Sequence, residues 1–217
     1  MQVRSKLLGS AVVGAALALP LAASGATQQP AAHVKAEGDV FTPGSLKFDP
    51  KSVSVKVGQI VQWTNTDAYV PHTATEDHGL WDLTGTYGVG SSMGFGPHES
   101  RRRVFEAGTQ HYYCKVHPQY MHGVVAVPVK LTVSSIPNGH RIHIVWDAHK
   151  PGAGKAFDVQ FKKGDGAWKP FRTATTDASG NLDRHGATAV IRVRARFRRK
   201  NDATLATGWS PVAKVTA

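Results

Sequence analysis

The sequence predicts an all-β protein made of two β-sandwiches. Apolar and polar residues alternate over short runs, as at Val53, Val55 and Val57, which is typical of half-buried antiparallel strands. Gly, Pro, Asn and Asp bound these runs, and the chain after residue 26 has no convincing helical period. With 41% hydrophobic and 19% charged residues, the composition is that of a globular protein rather than a disordered one.

The N-terminus has the pattern of a secretory signal peptide, which we assign to residues 1–26. Arg4 and Lys6 precede an uncharged run at 7–21, and small residues follow at 24–26. This run is shorter than the ~20 residues that span a bilayer, although an uncleaved anchor is the alternative. We expect a secreted or extracytoplasmic protein, in the periplasm or cell envelope, with no transmembrane segment after cleavage.

Charge divides the remaining chain into two parts. Residues 27–133 contain nine basic and nine acidic side chains, whereas residues 134–217 contain fifteen basic and six acidic ones. The turn-rich segment 134–139 lies at this change and is typical of a linker. We therefore predict a first domain at 33–133 and a second at 136–217, both of ordinary size.

Each domain offers several candidate strands. The alternating or apolar runs in the first are 51–57, 61–63, 111–114 and 124–127, and those in the second are 142–146, 157–161 and 191–197. A hairpin is expected at 163–168, where Gly and Asp follow a strand run.

Candidate metal ligands are concentrated in one segment. Cys114, His117 and Met121 follow one predicted strand closely, and His72 follows another strand and turn upstream. Two imidazoles and a thiolate with a distant thioether are the ligands of a blue-copper site. Since Cys114 is the one cysteine, multi-thiolate zinc sites and iron–sulfur clusters of this chain are excluded. The remaining histidines near this region, at 78, 98, 111 and 122, are expected in solvent.

The first domain resembles the cupredoxins of the plastocyanin and amicyanin type. The motifs that carry this resemblance are Val55-Lys-Val-Gly58, Val61-Gln-Trp63, His72-Thr73, Phe105-Glu-Ala-Gly108, Tyr112-Tyr-Cys114, His117-Pro118 and Met121. The resemblance implies a Greek-key β-sandwich and one type 1 copper ion, with His72, Cys114 and His117 as ligands and Met121 as axial ligand. It also implies that electrons leave through His117.

The second domain resembles fibronectin type III domains. The resemblance rests on the strand ending at Trp146, the hairpin at 163–168, the strand around Arg192 and Gly208-Trp-Ser-Pro211. Ala189 replaces the family's tyrosine, so the tyrosine-corner hydrogen bond is absent. Such domains act as spacers or binding modules.

Four arginines alternate along one predicted strand, at Arg192, Arg194, Arg196 and Arg198. They form either a solvated face or a surface for anionic cell-envelope polymer, lipid or an acidic redox partner. Nucleic acid is not an expected partner, because the domain resembles none of the usual nucleic-acid modules.

The functional expectation is a secreted one-electron carrier with a basic tethering or docking domain and an unknown redox protein as partner. Four protein ligands leave copper no open position for substrate, so we do not expect an enzyme. Two alternatives remain. One is a copper chaperone, buffer or sensor, and the other is an envelope adhesin with a vestigial copper pocket.

Overall fold

A computed structural model describes residues 28–39, 41–84 and 94–217, where every regular element is a β-strand. This confirms the predicted fold class. The strands are β1 Ala32–Asp39, β2 Thr42–Asp49, β3 Ser52–Ser54, β4 Ile60–Asn65, β5 Thr75–Glu76, β6 Ser100–Val104, β7 Gly108–Tyr113, β8 His122–Val127, β9 Lys130–Ile136, β10 Gly139–Val145, β11 Lys155–Lys163, β12 Lys169–Thr175, β13 Ser179–His185, β14 Val190–Arg199, β15 Asp202–Ala206 and β16 Ala213–Thr216. The predicted signal peptide, residues 1–26, lies outside the described residues. In the described part of the chain, no helix is long and apolar enough to cross a bilayer.

The first eight strands form two four-stranded sheets. One has the order β2-β1-β4-β6 and the other has the order β3-β8-β7-β5. Two strand pairs are parallel, β1 with β4 and β3 with β8, so the expectation of antiparallel strands is wrong for them. Parallel neighbours are joined by a longer crossover connection, and alternation within a strand carries no information about that connection.

Aromatic side chains fill the space between these two sheets. Trp63 is fully buried and packs edge-on against Tyr112, with 5.5 Å between ring centroids. Trp81 meets Phe105 at 5.6 Å, and Phe48 meets Tyr112 at 4.9 Å. Burying a ring of this size contributes about 1.5–3 kcal/mol, so this cluster is a major source of stability.

The last eight strands form a second pair of sheets. Three strands have the order β13-β10-β9, and five strands form the other sheet, β12-β11-β14-β15 with β16 also paired to β14. The hairpin predicted at 163–168 is confirmed, because it joins the antiparallel strands β11 and β12. Trp146 is fully buried in this half.

The predicted linker at 134–139 is wrong. Strand β9 pairs with β10 along its whole length, and the segment forms the end of β9, a tight turn and the start of β10. Asn138 has a φ of 59°, a conformation that asparagine adopts more readily than most residues. Turn residues occur in hairpins and linkers alike, so composition did not separate the two. Strand β9, most of it predicted to end the first domain, pairs instead with the second half.

Backbone hydrogen bonds join the two halves at the start of β7. The amide of Ala107 donates to the carbonyl of Trp146 at 2.8 Å. Thr109 and Gly208 exchange amide-to-carbonyl bonds of 3.0 and 2.9 Å, as two paired strands do. These bonds fix the second half to the strand whose other end precedes Cys114.

The four alternating arginines of β14 are engaged by the protein itself. Arg196 and Arg198 both donate to the carboxylate of Asp158, at 2.9 and 3.0 Å, and Arg198 is only 7% exposed. Arg192 donates to the backbone carbonyl of Gly164. The expectation of a solvated face is therefore wrong for Arg198.

Arg194 is held between two tryptophans. Its guanidinium lies 4.2 Å from the ring centroid of Trp168 and 4.5 Å from that of Trp209, and it donates to Gln160 at 2.8 Å. Cation–π contacts of this kind stabilise by about 0.5–2 kcal/mol each. The guanidinium of Arg194 is therefore stacked within the protein rather than free in solvent.

Candidate metal centre

His72 lies in a segment pinned to a neighbouring chain segment. Its amide donates to the carbonyl of Phe95 at 3.1 Å, and the amide of Phe95 donates back at 2.8 Å. The side chain of Asn65, at the end of β4, donates to the carbonyls of Val70 and Phe95 at 2.7 and 3.1 Å. These bonds fix the backbone from which the imidazole of His72 projects.

The loop between β7 and β8 carries the other candidate ligands. The amide of His117 donates to the carbonyl of Cys114, and the amide of Met121 donates to that of His117, both at 3.1 Å. The amide of Cys114 donates to the carbonyl of Met121 at 3.0 Å, which closes the loop. The backbone therefore brings these three side chains to one end of the sandwich.

His72, Cys114 and His117 converge, as the sequence predicts. The sulfur of Cys114 lies 3.8 Å from Nδ1 of His72 and 3.8 Å from Nδ1 of His117. All three ligand atoms lie within 4.8 Å of one another. A sulfur and a nitrogen bound at about 2.3 and about 2.0 Å, separated by 120°, are about 3.7 Å apart. The donor set therefore fits one metal ion in a trigonal plane.

The side chain of Met121 is fully buried. Its backbone bonds to both Cys114 and His117 place it at the same end of the loop. This position is compatible with the predicted axial contact.

Both imidazoles are neutral at pH 7 and can offer lone pairs to a metal. Burial, and then the nearby His117, lower the pKa of His72 to about 4, although Asp67 opposes this effect. Burial also lowers the pKa of His117, which Asp67 again opposes. His72 and Cys114 are fully buried, whereas His117 is half-buried, so His117 is the ligand nearest to solvent.

Thr73 connects the two ligand-bearing segments. Its amide donates to the sulfur of Cys114 at 3.3 Å, and its hydroxyl accepts from the amide of Lys115 at 2.7 Å. An amide pointing at sulfur stabilises the thiolate form. Sequence reasoning used Thr73 only as part of a motif and missed this role, because the contact spans 41 residues.

Sequence reasoning also missed the contact of Asp67 with His72. Its carboxylate oxygen Oδ2 lies 3.5 Å from Nε2 of His72. The one signal in the sequence is an acidic residue in the turn before the histidine, which is too common to indicate a contact. The histidines at 78, 98, 111 and 122 are exposed, as expected.

Residues 33–128 match the model of a family described as copper binding proteins, plastocyanin/azurin family. The solved structures that are similar to this chain include the following three. A purple cupredoxin from Nitrosopumilus maritimus is 28% identical over 44% of this chain and 98% of its own, with a TM-score of 0.33. Amicyanin from Paracoccus versutus is 26% identical over 46% of this chain and 84% of its own, with a TM-score of 0.34. A copper-containing nitrite reductase from Thermus scotoductus is 25% identical over 54% of this chain and 24% of its own, with a TM-score of 0.32. Comparison with curated proteins finds no match.

The first half is thus a copper-binding β-sandwich. More narrowly, residues 33–128 match the plastocyanin/azurin family of copper binding proteins, and the cluster of His72, Cys114 and His117 fits copper as the cofactor. The matched region ends two residues before β9, the first strand that pairs with the second half.

Proposed function

We propose that the protein is an extracytoplasmic one-electron carrier with a single type 1 copper site. His72, Cys114 and His117 are its equatorial ligands, and Met121 is its weak axial ligand. The observation that carries this proposal is the buried sulfur of Cys114 at equal 3.8 Å distances from Nδ1 of His72 and Nδ1 of His117. When bound, copper supplies one-electron exchange between its two oxidation states.

The protein residues favour exchange over substrate chemistry. Thiolate and imidazole donors suit both oxidation states, and a weak thioether tunes the potential without enforcing the geometry that either state prefers. Four protein donors leave no open position of the kind that a substrate needs. We therefore propose that the protein is not an enzyme.

We propose that electrons leave through His117. Its side chain is half-buried, and it lines a shallow surface pocket with Val116, Pro118 and Tyr120. Apolar residues around a ligand edge allow a partner to approach closely without desolvating a charge.

The second half is proposed to be a fibronectin type III-like domain that tethers or positions the copper domain. Two facing sheets of three and five strands are compatible with such a sandwich. We place the division between the domains at 128–129, because the family match ends there and β9 pairs with the second half. Attachment to an anionic envelope polymer through the β14 arginines is the less favoured role, since those side chains already have partners.

Secretion stays part of the proposal and rests on the signal peptide pattern at 1–26. The site itself is consistent with an oxidising compartment. A free thiol is prone to oxidation there, whereas the thiol of Cys114 is fully buried and a metal would hold it as a thiolate.

The first test is to load the mature chain, from Thr27, with Cu(II) and record visible absorption and electron paramagnetic resonance. We expect an intense thiolate-to-copper band and narrow hyperfine splitting in the wild type and in the control His111→Gln, which changes an exposed imidazole. Cys114→Ser should lose both signals. A colourless wild type, or ordinary tetragonal copper unchanged by Cys114→Ser, would contradict a type 1 site.

Copper handling is the second candidate, favoured by the partial exposure of His117, through which a partner could reach the metal. Electron self-exchange and copper transfer to a soluble chelator separate the two functions. Fast exchange with retained copper supports a carrier, whereas ready transfer in either oxidation state supports a handler.

A further inference from the structure

Two buried polar atoms beside the metal centre face each other without any other partner. Nε2 of His72 and Oδ2 of Asp67 make no hydrogen bond of ordinary length within the described residues, yet they lie 3.5 Å apart. The two side chains are 0% and 7% exposed. Buried polar groups are rarely left unpaired, so two such atoms facing each other indicate an interaction that tightens when the site is in use.

The turn before His72 fixes the carboxylate of Asp67 in this position. The amide of Asp67 donates to the side-chain oxygen of Asn65 at 2.8 Å. Oδ1 of Asp67 accepts from the amide of Tyr69 at 3.2 Å, which leaves Oδ2 for His72. Since Asn65 also anchors the segment that bears His72, a single turn positions both groups.

The chemistry of a neutral imidazole determines which atom of this contact donates and which accepts. Such a ring has one N–H donor and one lone pair, on different nitrogens. A carboxylate at Nε2 accepts the proton there, which leaves the lone pair on Nδ1, the nitrogen 3.8 Å from the sulfur of Cys114. Partners of this kind fix the tautomer and orientation of a metal-bound histidine.

We propose that Asp67 is a positioning residue of the copper site, which holds His72 with Nδ1 towards the metal and lowers the reduction potential of copper. This inference rests on the proposed role of His72 as a ligand. The effect on the potential is electrostatic. Oxidised copper carries one more positive charge than reduced copper, so a buried carboxylate one imidazole away stabilises the oxidised form more than the reduced form.

Two substitutions remove this contact in different ways. Asp67→Asn keeps the shape of the side chain but removes the charge and one of the two acceptor oxygens. When its oxygen accepts from the amide of Tyr69, its N–H group faces Nε2 of His72. Asp67→Ala removes both the acceptor and the charge. The matched control is Asp39→Asn, because Asp39 lines the same surface groove as Asp67 but its carboxylate accepts from Phe41 and Thr42.

The test uses the mature chain with two metals. Zn(II) affinity, measured by competition with a chelator, reports the orientation of His72 without any redox chemistry. We expect Asp67→Ala to bind Zn(II) about 10–100-fold more weakly than the wild type. Asp67→Asn should also bind it more weakly, because an amide N–H group at Nε2 of His72 favours the tautomer with the proton on Nδ1. The Cu(II)/Cu(I) potential, measured by voltammetry, should rise in Asp67→Asn, while Asp39→Asn leaves both quantities unchanged.

Each outcome decides the inference. Wild-type Zn(II) affinity in Asp67→Ala, or a wild-type potential in Asp67→Asn, would overturn it. If Asp67→Ala does not fold, the potential of Asp67→Asn decides alone, because that variant keeps the shape of the side chain and an acceptor for the amide of Tyr69. If wild-type copper shows no type 1 signals, the carrier proposal fails, and the zinc measurement still decides whether Asp67 positions His72.

Discussion

Replacing Gly123 with alanine should destabilise the copper domain, because a fully buried ring occupies the space of the new methyl group. Gly123 lies opposite Tyr112 in the pairing of β7 with β8. A Cβ at this position would lie 2.3 Å from both Cζ and the hydroxyl oxygen of Tyr112, whereas ordinary contacts begin near 3.4 Å. The ring would therefore have to move by at least 1.1 Å, the difference between these two distances.

The ring of Tyr112 has little room for such a movement. It is 1% exposed and packs against Phe48 and Trp63, at centroid distances of 4.9 and 5.5 Å. Forcing extra atoms into a packed core costs about 1–3 kcal/mol. We expect Gly123→Ala to lower the free energy of unfolding by that amount, less the ~0.5–1 kcal/mol that alanine gains over glycine in a strand.

The assay is urea unfolding of the metal-free protein, combined in a double-mutant cycle with Tyr112→Ala. In that background the obstruction is gone, so Gly123→Ala should be neutral or slightly stabilising. Gly152→Ala, where a Cβ meets nothing within 4 Å, is the control and should be close to neutral. An equal cost of Gly123→Ala in both backgrounds would refute the steric argument.

Three further predictions concern charge and hydrogen bonding. Burial, and then the charge of Glu106, raise the pKa of Asp147 to about 6. Between about pH 4 and 6 the folded protein therefore binds more protons than the unfolded chain does. For this reason the free energy of unfolding falls as pH rises through this window. Asp147→Asn should remove that fall, so its free energy of unfolding should rise relative to that of the wild type between pH 4 and 7. If the free energies of the two proteins change in parallel with pH, the prediction is wrong. Thr73→Val keeps the shape of the side chain but leaves the amide of Lys115 without its acceptor. We expect this to lower the free energy of unfolding in urea by about 1–3 kcal/mol. A loss within error of zero would show that water replaces the hydroxyl. Asp158→Ala leaves the buried Arg198 without its counter-charge and should lower the free energy of unfolding by about 3 kcal/mol in the same assay. A loss below about 1 kcal/mol would contradict a stabilising role for this ion pair.

Much of the fold could be predicted from local patterns. The alternation of Ile191 and Val193 with arginines marks β14, and the apolar positions of that run are buried. The hairpin between β11 and β12 follows from turn residues between two strand runs. Both signals lie within about ten residues, where side-chain periodicity determines which face is buried.

Two of the features that local patterns missed depend on distant residues. Strand β1 pairs in parallel with β4, and alternation in β1 gives no information about that neighbour. Arg198 is buried because Asp158, forty residues away, accepts from it. A solvated arginine and a buried one have the same place in an alternating run, so sequence spacing could not distinguish them.

At the metal centre, too, some residues could be predicted from the sequence and others could not. Cys114, His117 and Met121 could be predicted together because one short loop presents them, and His72 because the family motif gives its place. Asp67 could not, because its role depends on how the turn before His72 folds against the imidazole. Supporting residues of this kind are found from contacts rather than from spacing.

The convergence of His72 and Cys114 also has a mechanical consequence. The two residues are 42 positions apart, and the chain's one cysteine cannot form an internal disulfide. A metal ion bound to both would close a loop of this length, and a covalent cross-link of the same span stabilises by about 4 kcal/mol through the unfolded chain. Copper would then provide the cross-link that disulfides provide in many small domains. Unfolding and proteolysis should therefore be slower in the copper-loaded protein, so that copper supply would regulate how long each molecule survives.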